Sequence, residues 1–275
     1  MKNVTYKVRI KNIIDEGKKR ATYVFEKPKE FSWQEGSHIS LALEEGLTNG
    51  QVNKDLMRKF SISTTLDEGV ISISTRLDSS DSIYKKKLST LCPGDQCYIY
   101  GCESKMPIRR EDKNLVFISM GVGMATMRPI IRTYQQDQTG VRSVKNICVD
   151  RTGDHLYKDE ISCDKSLNID TLVAKSRGEF KDILNDGLSI DYNDSIFYIV
   201  GSNEFLKDTI KLLKDKNVRK ENIMIDKSSE SLEKYYNVPS YETMKVKDYQ
   251  KFSSSFMPLG LTPGACSCGG NCTCK

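Results

Sequence analysis

Two short segments of the chain carry residue types that suit a phosphorylated cofactor. The first reads Arg-Lys-Phe-Ser-Ile-Ser, and strand alternation puts Arg58, Phe60 and Ile62 on one side. Ser61 and Ser63 then face the other side, and at the mouth of a twisted barrel both sides can meet one extended ligand. A flavin needs a cation for its phosphate, an apolar face for its ring and a hydroxyl near N5. The segment fits a flavin, although alone it also fits an ordinary amphipathic strand.

The second segment is a glycine-containing turn. Gly121 and Gly123 follow an apolar run that ends at Ser119, and a helical pattern begins after them. Glycines at such a turn let the backbone approach a pyrophosphate, and the free N–H groups of the helix start favour its negative charge. Gly-x-Gly alone is also a common tight turn, so the flanking strand and helix are what favour a nucleotide loop.

A cluster of cysteines occupies the last ten residues. Two Cys-x-Cys pairs, joined by two glycines, contain Cys266, Cys268, Cys272 and Cys274. Four thiolates can converge on zinc, copper(I) or an iron–sulfur cluster. The spacing differs from the Cys-x-x-Cys of familiar zinc and iron–sulfur runs. We therefore expect a metal or cluster of open identity, with a reversible dithiol pair or an unliganded tail as alternatives.

Length and composition allow two ordinary cores and argue against several classes of function. The chain has 275 residues, of which 38% are hydrophobic, and its net charge of +5 comes from 42 basic and 37 acidic residues. These charges are spread along the chain, so nothing favours a nucleic-acid partner. The start of the chain lacks the apolar core of a secretory signal and no stretch is long enough for a membrane span. We expect a cytoplasmic protein with reduced cysteines.

The elements that must position the two segments show two different hydrophobic patterns along the sequence. Up to about Gly101 the pattern is short alternating runs separated by glycine and proline turns, which predicts a closed antiparallel Greek-key β-barrel. One helix, Asp81 to Leu88, interrupts it. The predicted strands are Tyr6 to Ile10, Ala21 to Phe25, Ser37 to Leu43, Lys59 to Ser63, Val70 to Thr75 and Gln96 to Tyr100.

After a polar linker, Glu103 to Asn114, apolar strands alternate with helical patterns, which predicts a doubly wound α/β parallel sheet. The predicted strands and helices are Leu115 to Ile118, Val144 to Val149, Ile169 to Ala174, Ser195 to Val200 and Ile223 to Ile225, with helices from Met127 to Gln136 and from Glu204 to Lys216. We expect a flavin-binding barrel over residues 1–108, a nicotinamide-nucleotide-binding domain over 109–228, and a C-terminal extension with the cysteine cluster over 229–275.

In this order the motifs resemble the ferredoxin reductase-like superfamily, which pairs an FAD- or FMN-binding barrel with a nicotinamide-binding domain. The resemblance is colinear over about the first four-fifths of the chain. The matching segments are residues 31–36, 58–63, 82–88 with the turn 93–95, 121–126 and 200–205. In this sequence Ala125 and Thr126 stand where the family usually has Thr-Pro, and Ser202 replaces the proline of a Gly-Pro loop.

The resemblance implies a role for each site residue. Arg58 would bind the flavin phosphate, Phe60 would pack on the isoalloxazine, and Ser61 would act near N5 as the catalytic residue. Ile62 and Ser63 complete that motif. The remaining implied cofactor contacts are Ser82 at a phosphate, Gly121, Gly123 and Thr126 in the nucleotide loop, Arg151 at the adenosine ribose, and Gly201 and Ser202 beside the nicotinamide.

These observations predict a flavin-dependent oxidoreductase that moves electrons between NAD(P)H and a redox protein through FAD, which the family favours over FMN. Because family members often carry or dock an iron–sulfur partner, the cysteine tail is a candidate path for the electrons. NADH and NADPH both remain open. The alternatives are a metal-binding or metal-sensing protein on a flavoprotein scaffold, and a reductase of free flavin or metal ions.

Overall fold

The structure is a computed structural model that describes residues 5–44, 47–48, 51–78, 82–162 and 169–237. The cysteine pairs of the tail, and with them the predicted metal site, lie outside the described residues. Within the described part of the chain, no helix is long and apolar enough to cross a membrane. The described residues contain a six-stranded antiparallel sheet, a five-stranded parallel sheet and a short two-stranded ladder.

The antiparallel sheet has the order β6-β3-β8-β1-β2-β7. Its edges meet at Ser63, whose N–H donates to the carbonyl of Ser72 at 2.8 Å. The sheet is therefore strongly curled into a half-barrel rather than the closed barrel expected, because this hydrogen bond joins its edges where no strand ladder pairs β6 with β7. Its elements, with the two-stranded ladder β4–β5, are β1 Thr5–Asp15, β2 Arg20–Glu26, β3 Ser37–Leu43, β4 Leu47–Thr48, β5 Gln51–Val52, β6 Met57–Ser61, β7 Val70–Arg76, α1 Ile83–Leu88 and β8 Gln96–Ser104.

The barrel core follows from the alternation of its strands. Inward positions such as Val8 and Ile10 of β1 are buried, while the residues between them are exposed. Tyr23 is fully enclosed, and its hydroxyl donates to the carbonyl of Leu88 at the end of α1. The single tryptophan, Trp33, is buried against this core.

The parallel sheet has the order β11-β10-β9-β12-β13. The chain leaves the central β9 towards one edge and then returns to the other side as β12, so β9 and β12 form the switch point of the sheet. Its elements are β9 Lys113–Met120, α2 Met124–Gln136, β10 Val141–Val149, α3 Lys158–Ser162, β11 Ile169–Ala174, α4 Arg177–Asp182, β12 Ser195–Val200, α5 Asn203–Asp215, β13 Ile223–Ile225 and α6 Ser229–Tyr236.

Helices cover both faces of this sheet, which is why its strands read as continuous apolar runs. Val116 and Ile118 of β9 pack in one core with α4 and α5, while Leu115 and Phe117 pack in a second core with α2. On α5 the buried residues form a stripe with helical spacing: Phe205, Leu206, Thr209, Ile210 and Leu213.

Several boundaries differ from the sequence-based expectations. Helix α2 begins at Met124 rather than Met127, because a single 3₁₀ turn at Gly121–Gly123 runs directly into it. The predicted linker is shorter, since β8 extends to Ser104 and β9 starts at Lys113. The division at residue 108 stays a prediction. The first part of the predicted extension forms α6, whose Tyr236 hydroxyl donates to the carbonyl of Val218.

Candidate functional site: a basic cleft

A cleft of about 1310 Å³ is lined by both halves of the described structure. This volume exceeds the roughly 300–1,000 Å³ of typical small-ligand sites, so there is room for more than one ligand. One wall is β6 with parts of β2 and β7. The opposite wall consists of the carboxyl ends of all five parallel strands, represented by Met120, Val149, Lys175, Val200 and Asp226. Ligands of open α/β sheets bind at this edge.

Two glycines hold the backbone tightly at the switch point. A Cβ on Gly123 would lie 2.7 Å from the carbonyl oxygen of Val200, and one on Gly201 would lie 2.5 Å from the ring of Phe205. Gly121 has a φ of +58° and nothing within 4 Å of a Cβ position, so it needs glycine for its conformation and leaves open space beside the cleft. This is a turn where a ligand can approach the main chain.

Two helices begin at the cleft. The first turn of α2 lines it with Ala125 and Thr126, and α5 starts directly after Gly201 and Ser202. The Ser202 hydroxyl caps α5 by accepting from the N–H of Phe205 at 3.2 Å. The partial positive charge of a helix dipole at both helix starts favours anionic ligands at this edge.

The barrel wall presents a cation, a ring and a hydroxyl in consecutive contact with the cleft. Arg58, Phe60 and Ser61 all line it. The Arg58 guanidinium lies 5.7 Å from the ring centre of Tyr84, and Nη1 donates to the carbonyl of Lys54 at 3.0 Å. Phe60 packs beside Tyr84 with ring centres 5.8 Å apart. Arg58 is exposed yet held in place, as a phosphate-binding arginine requires.

Three of the predicted cofactor residues do not line the cleft. Ile62 is 1% exposed and belongs to the barrel core. Ser63 is buried, where its hydroxyl bonds that of Ser72 at 2.6 Å. Ser82 caps α1 by accepting from the N–H of Lys85. The other predicted residues do line the cleft: Arg58, Phe60, Ser61, Gly121, Gly123, Thr126, Arg151, Gly201 and Ser202.

The two walls are joined beside Ser61. Thr126 of α2 donates to the hydroxyl of Ser61 at 2.7 Å. Further along the same helix, Arg128 donates to the carbonyl of Ser63 at 2.7 Å and makes two bonds to the carboxylate of Glu68, at 2.7 and 2.9 Å. It also pairs with Glu160 at 2.8 Å. The sequence analysis assigned no role to Arg128, because its partners are far from it in sequence. Ser63 and Glu68 precede it by 65 and 60 residues, and Glu160 follows it by 32.

Charge in this junction is balanced within the protein. Burial alone would raise the pKa of Glu68, but the hydrogen bonds from Arg128 and Thr65 outweigh it and hold that pKa below its usual range. Burial would lower the pKa of Arg128, and its two carboxylate partners raise it instead. Both groups stay ionised at neutral pH, so the junction is a fixed ion pair.

The charge of the cleft is strongly positive. Nine basic and two acidic side chains line it: Lys18, Arg20, Arg58, Lys59, Arg76, Lys85, Arg151, Lys175 and Arg177 against Asp150 and Asp226. Four of the nine basic side chains are paired with carboxylates: Lys18 with Asp154, Arg20 with Asp150, Arg76 with Asp78, and Arg177 with Glu204. The remaining excess favours anionic ligands such as dinucleotides.

Histidines and metal ligands contribute little to the cleft lining. His155 is buried, with Nδ1 2.9 Å from the carbonyl oxygen of Leu156. Cys97 and Cys148 are buried thiols, and burial raises the pKa of Cys97 to about 12. Among the described residues, no group of three or more His, Cys, Asp or Glu side chains is arranged to hold a metal ion.

Solved structures with similar folds are flavin- and nicotinamide-binding proteins. The chain superposes on a ferredoxin NADP⁺ reductase from Neisseria gonorrhoeae with bound FAD and NADP, with a TM-score of 0.69 and 17% identity over 80% of this chain and 97% of that one. The CS-b5R domains of human Ncb5or in the NAD⁺ form give a TM-score of 0.66 and 16% identity over 82% and 71%. These likenesses confirm the predicted fold.

Sequence comparison gives a second likeness, to one component of the Na⁺-translocating NADH-quinone reductase. The chain is 26% identical over 203 residues to this component in Klebsiella pneumoniae subsp. pneumoniae, which covers 64% of this chain and 50% of the relative. The corresponding component in a Marinomonas species is 25% identical over 202 residues. The chain thus spans about half the length of the curated relatives it matches. No protein-family model matches it.

Proposed function

Because the chain has the two-domain fold of the ferredoxin reductase-like flavoproteins, we propose that it is a flavin-dependent oxidoreductase that takes electrons from NAD(P)H and passes them to a redox partner. One observation carries the proposal. The Arg58–Ser61 strand and the glycine turns at Gly121 and Gly201 line the same cleft. A cation, a ring and a hydroxyl therefore face a nucleotide loop across one space.

The residues present fit both cofactors. Gly123 packs against Val200 without room for a side chain, which is the close helix–strand packing of a nucleotide loop, and Gly121 leaves open space where a pyrophosphate can approach the backbone. FAD would take its phosphate contact from Arg58 and its ring contact from Phe60, in preference to FMN because the long basic cleft suits a dinucleotide. NAD(P)H would lie along Gly121, Gly201 and Arg151. The similar reductase with bound FAD and NADP supports this pairing of cofactors.

When bound, the flavin supplies hydride and electron chemistry that no amino-acid side chain offers. The chain's own residues would orient the cofactors, exclude water from the cleft and balance the charge around it. Thr126 fixes the hydroxyl of Ser61 at the meeting point of the two walls. Arg128 holds the α/β half against the barrel, which keeps the facing surfaces in register and supports the alignment on which hydride transfer depends.

The identity of the redox partner and the choice between NADH and NADPH are inferred from the relatives and from the charge of the cleft. The distant relatives are components of NADH-quinone reductases, which favours NADH as the donor and a partner within a larger electron-transfer assembly. Arg151 and Lys175 at the carboxyl edge provide charge for a 2′-phosphate, which favours NADPH. We propose NAD(P)H as the donor class, and the cysteine pairs Cys266/Cys268 and Cys272/Cys274 as a candidate metal or iron–sulfur site, with the metal-binding and free-flavin or metal-ion reductase functions as alternatives.

A matched pair of arginine variants tests flavin binding. Arg58→Ala removes the cation at the cleft, while Arg9→Ala removes an exposed arginine of β1 that does not line it. We expect Arg58→Ala to weaken FAD binding by about tenfold or more, because a charge-assisted phosphate contact is worth roughly 1.5–3 kcal/mol. Arg9→Ala should bind as the parent does. Equal FAD affinity of both variants in a fluorescence titration contradicts the assignment of Arg58.

A further inference from the structure

The turn between β1 and β2 reaches from the barrel to the parallel sheet. Three consecutive residues of this turn, Gly17, Lys18 and Lys19, have left-handed backbone with φ of +68°, +55° and +57°. Two adjacent lysines in that region are unusual, because their Cβ atoms make it unfavourable and it persists only where the surrounding structure enforces it. The turn carries Lys18 and Arg20 to the loop that follows β10. Its shape therefore serves a contact with the other half of the structure.

Arg20 neutralises Asp150, the first residue after β10. The Arg20 side chain is 7% exposed, and its Nη1 lies 3.5 Å from Oδ2 of Asp150 and donates to the carbonyl of Asp154 at 3.1 Å. The other oxygen of Asp150 accepts from the N–H of Thr152 at 2.9 Å and from its hydroxyl. An acid in this part of a dinucleotide-binding sheet can bind the ribose 2′-hydroxyl, and its charge repels a 2′-phosphate. Here both oxygens of that acid already have protein partners.

Lys18 neutralises Asp154, the second acid of the same loop. Its Nζ lies 2.9 Å from Oδ2 of Asp154 and also donates to the hydroxyl of Thr152. The hydrogen bond and the charge of Lys18 hold the pKa of Asp154 below its usual range, so this acid is ionised and paired at neutral pH. Since the Thr152 hydroxyl donates in turn to Asp150, the two pairs form one network. Cations of the barrel thus compensate both acids of the loop.

Two cations at this edge are left uncompensated. Arg151 and Lys175 are exposed, line the cleft and form no ion pair with any residue that the structure describes. They belong to neighbouring strand ends, since a Cβ on Gly153 would lie 3.4 Å from Cε of Lys175. Glu179 accepts from the backbone N–H of Lys175 at 2.7 Å. The ammonium and guanidinium groups of Lys175 and Arg151 can therefore bind an anion from the cleft.

The excess of positive charge at this edge comes from the hairpin. The loops after β10 and β11, residues 150–154 and 175–179, contain three basic and three acidic residues: Arg151, Lys175 and Arg177 against Asp150, Asp154 and Glu179. These loops carry no net charge by themselves. Lys18 and Arg20 add two positive charges in direct contact with the first loop. The electrostatic character of the nucleotide edge is thus determined by the other half of the structure.

We propose that Lys18 and Arg20 set the nucleotide preference in favour of NADPH, by neutralising Asp150 and Asp154 so that Arg151 and Lys175 hold the 2′-phosphate. The inference rests on the proposed function and names its electron donor. Lys18 and Arg20 act through the two acids and need not touch the nucleotide. Without these cations, Asp150 is free to bind the 2′-hydroxyl of NADH and repels a 2′-phosphate. This preference departs from the NADH of the sequence relatives.

Two nucleotides that differ only in the 2′-phosphate, NADP⁺ and NAD⁺, test this preference in the full chain by calorimetric titration. We expect the parent to bind NADP⁺ about tenfold or more tightly than NAD⁺. Lys18→Gln should reduce this ratio several-fold. Lys19→Gln is the matched control and should leave it unchanged, because Lys19 has the same backbone conformation and is exposed but does not line the cleft. A parent that binds neither nucleotide, or shows no preference for NADP⁺, overturns the inference, as do equal ratios in the two variants.

A double substitution tests whether Arg20 acts through Asp150. Arg20→Gln should reduce the NADP⁺/NAD⁺ ratio about tenfold, because it leaves the Asp150 carboxylate uncompensated. Adding Asp150→Asn to Arg20→Gln should restore the preference for NADP⁺, which it would not do if Arg20→Gln merely disturbed the fold. An unrestored ratio overturns the inference, and if Arg20→Gln does not fold, the comparison of Lys18→Gln with Lys19→Gln decides. If the chain binds no FAD, the proposed function fails, while these titrations involve no electron transfer and still decide the nucleotide preference.

Discussion

At the scale of single residues, the cleft depends on glycines at which an added Cβ atom would either clash or strain the backbone. Gly123 has no room for a side chain against Val200, whereas Gly121 has open space but a left-handed backbone. The two glycines of one Gly-x-Gly motif therefore serve different physical purposes. The motif indicated glycines at which a ligand can approach the backbone, and the structure separates Gly123, which packs against β12, from Gly121, which leaves open space.

Substitution of Gly123 tests whether its close packing against Val200 stabilises the protein. Gly123→Ala should destabilise the protein by about 1–3 kcal/mol, because its Cβ would lie 2.7 Å from a backbone carbonyl that cannot move freely. Gly178→Ala is the matched control, since Gly178 is exposed in α4 and its Cβ would find only ordinary contact at 3.7 Å. Urea unfolding followed by far-UV circular dichroism measures both, and equal midpoints would contradict the packing argument.

At the scale of elements, the strands were predictable and the junction between the two sheets was not. Alternation identified the barrel strands and continuous apolar runs identified the parallel strands, because each pattern follows from which faces are buried. Arg128 stands in a helix whose sequence resembles any amphipathic helix. Its role depends on Glu68 and Ser63, which are distant in sequence and lie beside Arg128 only in the folded structure. Long-range polar pairing of this kind leaves no local periodicity.

The same limit applies to the candidate site. The motif containing Arg58, Phe60 and Ser61 was recognised from residue types, and all three line the cleft. Ile62 and Ser63 were included because the motif continues through them, yet the strand ends at Ser61 and the chain then turns into the core.

The Arg128 junction makes a prediction about acid stability. Glu68 has a folded-state pKa below its unfolded value of 4.5, so its contribution is present above that pH and is lost as the pH falls through the folded pKa. In Arg128→Gln the hydrogen bonds and the charge of Arg128 are lost while the hydrogen bonds from Thr65 remain, so burial raises the pKa of Glu68 relative to that of the parent. Acid unfolding should therefore begin at higher pH, and stability at pH 7 should fall by about 2–3 kcal/mol.

Fluorescence of the single tryptophan, Trp33, reports this unfolding, because its ring is buried and its Nε1 donates to the carbonyl of Thr64. Arg132→Gln is the control: Arg132 shares the partner Glu160 but lies 3.7 Å from it and is 38% exposed. It should change stability by no more than about 0.5 kcal/mol. The same acid midpoint for both variants would show that Arg128 does not hold the junction.

At the scale of the whole molecule, charge distribution matters more than net charge. The net charge of +5 is small for 275 residues, but the cleft concentrates nine basic side chains against two acidic ones. Clefts lined by one sign of charge raise the local concentration of oppositely charged ligands. Composition alone indicated charges spread along the chain, because their concentration arises only when strand ends and barrel edges meet in three dimensions.

Salt dependence tests this field. Raising ionic strength from about 0.05 to about 0.5 M should weaken FAD and NAD(P)H binding several-fold, since the screening length falls from about 14 Å to about 4 Å. Lys175→Gln should reduce both the affinity and the salt slope, whereas Lys234→Gln, which removes an exposed charge on α6, should change neither. Calorimetric titration gives both quantities. Equal slopes in the two variants would contradict a local electrostatic role for the cleft.

Reduction of bound flavin is the most direct test of the account. The full chain, loaded with FAD and kept free of oxygen, is mixed with NADH and separately with NADPH while the flavin absorption band is recorded. We predict that at least one nucleotide bleaches the band in a stoichiometric reaction, because Arg58, Ser61, Gly121 and Gly201 share one cleft. A chain that binds no FAD, or whose bound FAD neither nucleotide reduces, would contradict the proposed function.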